Sequence, residues 1–379
     1  MKYMGSKRMM LQNGFGSAIL DESRRSERVV DLFSGSGAVA WYAAERIDQP
    51  VFAVDLQSYS AVLASAVIAR TTKLNMEKVE SEWLRPALRS AHRCKPWSEA
   101  KKHDQPRFKY EVTAARQLCA TESAGVVWQA YGGHYFSPRQ ALLMDRALLS
   151  LPQREPLRSA CKAALIASAT YCAASPGHTA QPFQPTQSAM PFIREAWGRD
   201  PLAYARTWLS FIAERHARKK GRVKIADAVA EASELRESDL VVVDPPYSAV
   251  QYSRFYHVLE AIAKAGSPLK SGVSGSGRYP PIGLRPHSDF SLKTKSADAV
   301  EDLLKALGGV GCRVLITFPE SRCSNGLSGH EIAELAEEHF NVTTKTVAGR
   351  FSTLGGNNDN RAARQASAEM IMTLTPLGR

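Results

Sequence analysis

The tetrapeptide Asp244-Pro245-Pro246-Tyr247 stands directly after a short apolar run, Leu240–Val243. Open α/β sheets place their ligand crevices at the carboxyl ends of such strands. An aromatic amine is a poor nucleophile because its lone pair is delocalised into the ring, so an enzyme must orient it and accept hydrogen bonds from its hydrogens. A carboxylate, a carbonyl held between two prolines and a stacking tyrosine would serve that purpose. A structural turn is the alternative, because Asp-Pro-Pro is common turn chemistry.

A glycine-rich turn, Asp31-Leu32-Phe33-Ser34-Gly35-Ser36-Gly37, follows another apolar run. Its glycines would let the backbone approach a ligand closely. The third glycine of the dinucleotide fingerprint is absent, since position 40 is Ala, and no Gly-Lys-Ser/Thr follows. The turn therefore predicts a nucleoside-type ligand that is uncharged or cationic. Asp55, at the end of the next apolar run, would accept both ribose hydroxyls.

The elements that position these residues alternate between short β-branched runs and helical stretches. This alternation predicts a doubly wound, mostly parallel α/β sheet of seven strands, with a Rossmann-like arrangement. The predicted strands are Arg28–Phe33, Val51–Val54, Arg222–Ala226, Leu240–Val243, Arg313–Phe318, Asn341–Val347 and Glu369–Leu374.

The middle of the chain lacks this alternation of strands and helices, and its pattern predicts a mainly helical, basic insert. Residues 83–224 hold 23 Lys and Arg against 9 Asp and Glu, a net charge of +14, whereas the whole chain carries +12. Such a segment is typical of a module that binds a polyanion, although a solvated basic surface is the alternative. We predict two catalytic halves, 1–82 and 222–379, around an insert at 83–221.

Two further segments bear on nucleic-acid binding. The basic cluster suits phosphate contacts, although it could also be a solvated helix end; it comprises Arg215, Arg218, Lys219 and Lys220. The segment Gly266–Pro286 is rich in Gly, Ser and Pro and predicts a mobile surface loop, either a lid or a DNA-facing loop.

Composition narrows the class of protein. No stretch approaches the roughly 20 apolar residues of a membrane span, and the N-terminus lacks the apolar core of a secretory signal, so we expect a cytoplasmic protein without a membrane partner. The six cysteines include no Cys-x-x-Cys pair, so we expect reduced thiols and no metal.

Four motifs occur in the order found in one enzyme family, with the insert between the last two. They are Lys2-Tyr3-Met4-Gly5-Ser6-Lys7, Asp31–Gly37, Asp55 and Asp244–Tyr247. Over residues 1–75 and 222–379 the chain closely resembles the D12 class, or alpha group, of adenine-N6 DNA methyltransferases, which includes the Dam-type and FokI-type enzymes.

The resemblance implies a role for each motif residue. Tyr3, Gly5 and Lys7 would close over the methionine portion of S-adenosylmethionine. The pocket for this cofactor would be lined by Asp31, Phe33, Gly35 and Gly37, and Asp55 would hold the ribose. Asp227 matches the third acidic position, at the adenine end of the cofactor, although Ala226 replaces the Gly that usually precedes it.

The resemblance further implies that Asp244, Pro245, Pro246 and Tyr247 serve an adenine swung out of a DNA duplex, while the insert grips that duplex. A restriction or defence nuclease would be a functional partner. RNA adenine or N4 of cytosine are alternative targets, although Asp in place of Ser at position 244 favours adenine. A catalytically silent DNA-binding homologue is a third reading, which the intact motifs disfavour.

Overall fold

The computed structural model describes residues 7–350 and 366–378, and the chain divides into two compact units. The sheet unit comprises Met4–Thr72, Arg215–Gln251 and Pro286–Arg379. The helical unit comprises Met1–Tyr3, Lys73–Glu214 and Tyr252–Arg285. The helical unit thus takes in a second segment that lies after the tetrapeptide in sequence.

Seven strands form one sheet in the sheet unit. Their bounds are β1 Arg28–Asp31, β2 Val51–Asp55, β3 Arg222–Ile225, β4 Asp239–Val243, β5 Arg313–Pro319, β6 Phe340–Arg350 and β7 Ala366–Pro376. The strand order is β3-β2-β1-β4-β5-β7-β6. Strands β1 to β5 pair in parallel, and β7 is antiparallel to both of its neighbours.

The prediction of a mostly parallel, seven-stranded α/β sheet is therefore confirmed. Its last three strands depart from the Rossmann order because β7 lies between β5 and β6. All seven predicted strands are present, with ends that shift by a few residues.

The central strands are apolar because they are covered on both faces. Every residue of β4 is buried, as expected for a strand inside a parallel sheet. In the sheet register, Asp31 of β1 lies opposite Ala53 of β2 and Val242 of β4. The carboxyl ends of these three neighbouring strands are therefore level with one another.

The α-helices account for most of the remaining chain. Within the described residues they are α1 Arg8–Gln12, α2 Phe15–Ser23, α3 Ala38–Arg46, α4 Ser58–Ile68, α5 Met76–Val79, α6 Arg85–His92, α7 Trp97–Lys101, α8 Lys109–Thr121, α9 Val126–Tyr131, α10 Pro138–Leu149, α11 Leu157–Cys172, α12 Met190–Trp197, α13 Pro201–Ala213, α14 Ala228–Ala232, α15 Tyr252–Phe255, α16 His257–Ala263, α17 Ser296–Val310 and α18 Gly329–Glu337.

The helical unit contains α5 to α13 together with α15 and α16, so the prediction of a mainly helical insert is confirmed. A π-helical turn, Glu80–Leu84, joins α5 to α6. One of its apolar clusters joins α8 to α12, where Val112 and Ala115 pack with Ile193 and Trp197. No helix in the described part of the chain is long and apolar enough to cross a membrane.

The glycine-rich segment Gly266–Pro286 is anchored near its middle. Arg278 donates to the backbone carbonyls of Ala130 and, at 3.1 Å, Gln129, while the Tyr279 hydroxyl donates to the Ala180 carbonyl at 2.6 Å. Short 3-10 turns occur at Ser267–Ser271 and Ile282–Leu284.

Candidate active site

Three carboxylates stand at the carboxyl ends of three neighbouring strands. Asp31 ends β1, Asp55 ends β2 and Asp244 comes directly after β4. Because these strands are parallel and in register, their ends meet at one edge of the sheet. The structure thus brings together three of the acidic residues that the sequence singled out.

Asp244 is held by a lysine from the start of the described chain. The ammonium nitrogen of Lys7 lies 3.1 Å from Asp244 Oδ1 and 2.7 Å from Glu369 Oε2, and Lys7 is almost fully buried. The Thr317 hydroxyl, on β5, donates to the same Asp244 Oδ1 at 3.2 Å. Both donors act on Oδ1, so Oδ2 faces no donor among the described residues.

Burial and neighbouring charges oppose each other at this cluster. Burial raises the pKa of Asp244 to about 6, with Lys7 opposing the rise and Glu369 adding to it. Burial disfavours the charged form of Lys7, but Asp244 and Glu369 outweigh it and raise the pKa of Lys7 above its usual range. The ammonium therefore stays charged, and it favours an ionised Asp244.

The turn after Asp244 is fixed by a side chain that sequence reasoning missed. Asn325 Nδ2 donates to the carbonyls of Pro246, at 2.9 Å, and Phe290, at 3.2 Å. Within residues 7–350 and 366–378, no hydrogen bond reaches the Pro245 carbonyl. That carbonyl remains able to accept from a ligand.

The Tyr247 ring is half-buried beside the cluster. Its edge meets the ring of Phe318, with centroids 6.5 Å apart and planes at 89°. Lys7 Nζ lies 5.8 Å from the Tyr247 ring centroid. Phe318 and Lys7 therefore pack against the Tyr247 ring, and part of the ring stays accessible.

The glycine-rich turn is bound to Asp55. Asp55 Oδ2 accepts from the Gly35 amide at 2.8 Å, and Oδ1 accepts from the Gln57 amide at 2.9 Å. Gly37 has φ +75°, and a Cβ there would lie 3.1 Å from Trp41 Nε1. A side chain at position 37 would be strained in conformation and crowded, so glycine is required there.

Asp31 is a buried carboxylate with an incomplete set of partners. It accepts from the backbone amides of Phe33 and Ala40, whereas Oδ2 has no hydrogen-bond partner within the described chain. Burial, followed by the charges of Asp244 and Asp55, raises the pKa of Asp31 to about 8. An unpaired buried oxygen at a sheet edge is a feature of a ligand site.

Other predicted site residues fall elsewhere or remain undescribed. Tyr3 and Gly5 lie outside the described residues. Asp227 is exposed and caps α14, accepting from the amides of Val229 and Ala230 at 2.9 and 3.2 Å. Its predicted role at the adenine end of a cofactor stays a prediction.

The predicted basic cluster is partly neutralised. Arg215 pairs with Glu45 at 2.7 Å, and Arg218 pairs with Asp48 at 3.4 Å. Lys219 and Lys220 are exposed, and no acidic group among the described residues lies within 4 Å of either ammonium. Phosphate binding by this cluster stays a prediction that rests mainly on the two lysines.

Sequence reasoning also missed Glu369 and Thr317. Glu369 begins the apolar run of β7, and its register partner in β5 is Pro319, two residues beyond Thr317. The acid at the start of an apolar run was the one sequence feature that could have indicated Glu369. Its contact with Lys7 depends on the antiparallel position of β7 in the sheet.

Comparison with known proteins agrees with the N-terminal part of this site. The family model for "D12 class N6 adenine-specific DNA methyltransferase" matches residues 3–93, which include Lys7, the glycine-rich turn and Asp55. A modification methylase, LlaI of Lactococcus lactis subsp. lactis, is 36% identical over 69 residues. That match covers 18% of this chain and 10% of the relative. The resemblance to the D12 class is confirmed over residues 3–93.

Asp31→Asn should remove one pH-dependent part of the stability. The folded protein holds a proton on Asp31 up to a pKa of about 8, whereas the unfolded chain releases it near the ordinary value of 3.8. The stabilisation from this proton is complete below pH 3.8 and is lost as pH rises through 8. Over that window it should decline by about 1.4 kcal/mol per pH unit, and the variant should lack this slope.

Denaturant unfolding of both proteins between pH 5 and 9 measures the effect. Asp298→Asn, an amide substitution at an exposed carboxylate, is the control. Parallel stability curves for the wild type and Asp31→Asn would show that Asp31 is ionised throughout this range.

Proposed function

We propose that this protein is an S-adenosylmethionine-dependent DNA methyltransferase that methylates N6 of adenine. The observation that carries the proposal is the Asp244–Tyr247 turn at the same sheet edge as the glycine-rich turn and Asp55. The family match over residues 3–93 supports the cofactor half of this edge. The tetrapeptide, outside that match, supports the target half.

The residues at this edge suit a cationic cofactor. Asp31 offers an unpaired buried oxygen, and Asp55 lies in the next strand. S-adenosylmethionine, when bound, would supply an activated methyl group from a sulfonium centre. Lys7, Phe33, Gly35 and Gly37 would line its pocket together with Asp31, and Asp55 would accept from the ribose hydroxyls. The backbone freedom of Gly35 and Gly37 lets the chain pass close to this ligand.

Asp244 would orient the target amine. Lys7 and Thr317 both engage Oδ1, which leaves Oδ2 to accept one hydrogen of the amine. The Pro245 carbonyl would accept the other, since Asn325 occupies the neighbouring carbonyl of Pro246. With both hydrogens held, the nitrogen lone pair is directed out of conjugation with the ring and can attack.

Lys7 and Glu369 act as positioning residues for this carboxylate. The ammonium fixes one oxygen of Asp244 and favours its ionised form, while Glu369 binds the same ammonium from the other side. Tyr247 would stack on the base. Once it gains the methyl group the amine nitrogen is cationic and acidic, so it would lose one proton to the Asp244 carboxylate or to water without a strong general base.

The target base would be swung out of a duplex. N6 of a paired adenine is hidden in the stack, and extrusion costs a few kcal/mol. The helical unit carries 25 Lys and Arg against 13 Asp and Glu, a net charge of +12, which suits it to hold the DNA during this step. The proposal extends to a functional partner, a restriction or defence nuclease.

A direct test incubates the purified protein with labelled S-adenosylmethionine and with either duplex DNA or RNA. Digestion to nucleosides and mass spectrometry then identify the product. N6-methyladenine in DNA is the expected product. N4-methylcytosine, modified RNA or no transfer would each overturn the proposal.

Asp244→Ala should lower the rate of methyl transfer by at least about 100-fold, since the acceptor of the amine hydrogens is lost. Cofactor affinity, measured by calorimetry, should stay within a few fold, because this residue serves the target base. Thr317→Val is the control, as it removes one hydrogen bond to Asp244 and keeps the carboxylate. Transfer at the wild-type rate in Asp244→Ala would contradict the assignment.

The rate of transfer should fall at acidic pH, because Asp244 must be ionised to accept from the amine. Its raised pKa places this acidic limb near pH 6. Lys7→Met removes the cation that opposes the rise and should move the limb to higher pH. Single-turnover rates between pH 5 and 9 measure the shift, and an unmoved limb would show that Lys7 does not control Asp244.

Asp55→Ala should weaken cofactor binding by about 1.5–3 kcal/mol, the loss expected for charged hydrogen bonds. Because Asp55 also holds the Gly35 amide, part of any loss could come from a loosened turn. A cofactor analogue without ribose hydroxyls separates the two effects. The wild type should prefer the natural cofactor to this analogue, and Asp55→Ala should lose that preference. A retained preference would move the ribose site elsewhere.

A further inference from the structure

A cleft of about 830 Å³ in the helical unit is lined mainly by polar and basic side chains. Its lining includes Gln105, Arg107, Gln187, Arg194, Glu195 and Arg199. One wall precedes α8 in the chain, and the other is α12 with the residues around it. None of the predicted site residues lines this cleft.

Two arginines of the cleft have no ion-pair partner. Within residues 7–350 and 366–378, no acidic oxygen lies within 4 Å of the guanidinium of Arg107 or Arg194, and both side chains are exposed. The nearby acids are already engaged: Glu195 pairs with Arg199, and Glu111 accepts from the backbone amides of Arg107 and Phe108. The cleft therefore presents two arginines without an ion pair. The Glu111 carboxylate faces Arg107 at longer range: the backbone amides of Arg107 and Phe108 lower its pKa, and the Arg107 charge adds to that effect.

Exposed aromatic rings adjoin Arg107 in the chain. Phe108 is 55% exposed and Tyr110 is 67% exposed, and their rings stack at 5.5 Å with planes 10° apart. A pair of large exposed rings beside an arginine without an ion pair is unusual for a surface that meets only water. Such a combination is typical of nucleic-acid contacts, where rings face sugars or bases and guanidinium groups face phosphates.

The two walls of the cleft are held in a fixed geometry. Val112 of α8 packs with Ile193 and Trp197 of α12 in a buried cluster. Arg107 lies two residues before α8, and Arg194 lies in the last turn of α12. Gly198 also fits closely, since a Cβ there would lie 3.3 Å from Gln105 Nε2. A rigid base of this kind preorganises the side chains that line the cleft.

We propose that this cleft binds the sugar-phosphate backbone of duplex DNA, with Arg107 and Arg194 on phosphates and the Phe108–Tyr110 pair on the adjoining sugars. The inference rests on the proposed function and names the surface of the helical unit that meets the substrate. The surrounding charge favours a polyanion, because the helical unit carries the entire net charge of the chain, +12, and the sheet unit carries none.

The test measures duplex DNA affinity against salt concentration by fluorescence anisotropy. Each phosphate contact contributes about −0.9 to the log–log slope, so Arg107→Ala with Arg194→Ala should reduce its magnitude by about 1.8. At 0.1 M salt the affinity should fall on the order of 10- to 60-fold. Replacing both arginines with lysine should restore most of the slope, because a lysine still neutralises a phosphate.

Phe108→Ala with Tyr110→Ala should act differently. These rings carry no charge, so affinity should fall roughly 5-fold or more while the salt slope stays unchanged. Lys305→Ala with Lys345→Ala is the matched control, because it removes two exposed positive charges outside the cleft. That control should leave the slope near the wild-type value.

The outcomes separate this inference from the proposed function. If the wild type methylates DNA but the double arginine variant keeps its slope and affinity, the cleft is not the DNA surface and the inference alone fails. The inference also fails if the control variant loses as much slope, or if the variants weaken RNA duplex binding and spare DNA. If the wild type binds cofactor but neither binds nor methylates DNA, both fail.

Discussion

The candidate site depends on the buried ammonium of Lys7. It joins Asp244, which follows β4, to Glu369 on β7, two carboxylates that β5 separates in the sheet. Without a shared cation, the two carboxylates would repel each other, and their desolvation would destabilise the folded protein. The same contact joins Lys7 to a residue that lies 362 positions later in the chain.

One ammonium cannot compensate every acid at this edge. Burial raises the pKa of Asp31, and the charges of Asp244 and Asp55 add to the rise because this cluster holds more carboxylates than cations. The described chain satisfies Asp55 with backbone amides, and it leaves one oxygen of Asp31 without a partner. A cationic ligand at this edge would favour the ionised form of Asp31, whereas a pyrophosphate would meet acidic groups that repel it. This agrees with the missing third glycine of the turn.

The strands and the acids at their ends could be predicted from sequence because both follow from local patterns. The apolar runs of β1, β2 and β4 each end in an acid or are directly followed by one, and parallel pairing then aligns those ends. The contributions of Glu369 and Asn325 could not be predicted in this way. Glu369 reaches Lys7 through the antiparallel placement of β7, and Asn325 acts from a loop on a backbone carbonyl. Neither contact produces a periodic pattern in the sequence.

Charge patterning could be predicted only in its broad distribution. The basic middle of the chain stood out, but the cluster that looked densest, at Arg215 to Lys220, proves half neutralised by Glu45 and Asp48. A lone arginine such as Arg194 does not stand out in a sequence, yet no acidic group in the described part of the chain forms an ion pair with it. The useful quantity for nucleic-acid binding is therefore uncompensated charge on a rigid base, which depends on ion pairs that only the fold determines. The sheet unit is neutral and the helical unit carries +12, so under the proposed function cofactor affinity and DNA affinity would depend on separate sets of charges. Salt should accordingly weaken DNA binding strongly while it leaves a buried cofactor pocket almost unaffected.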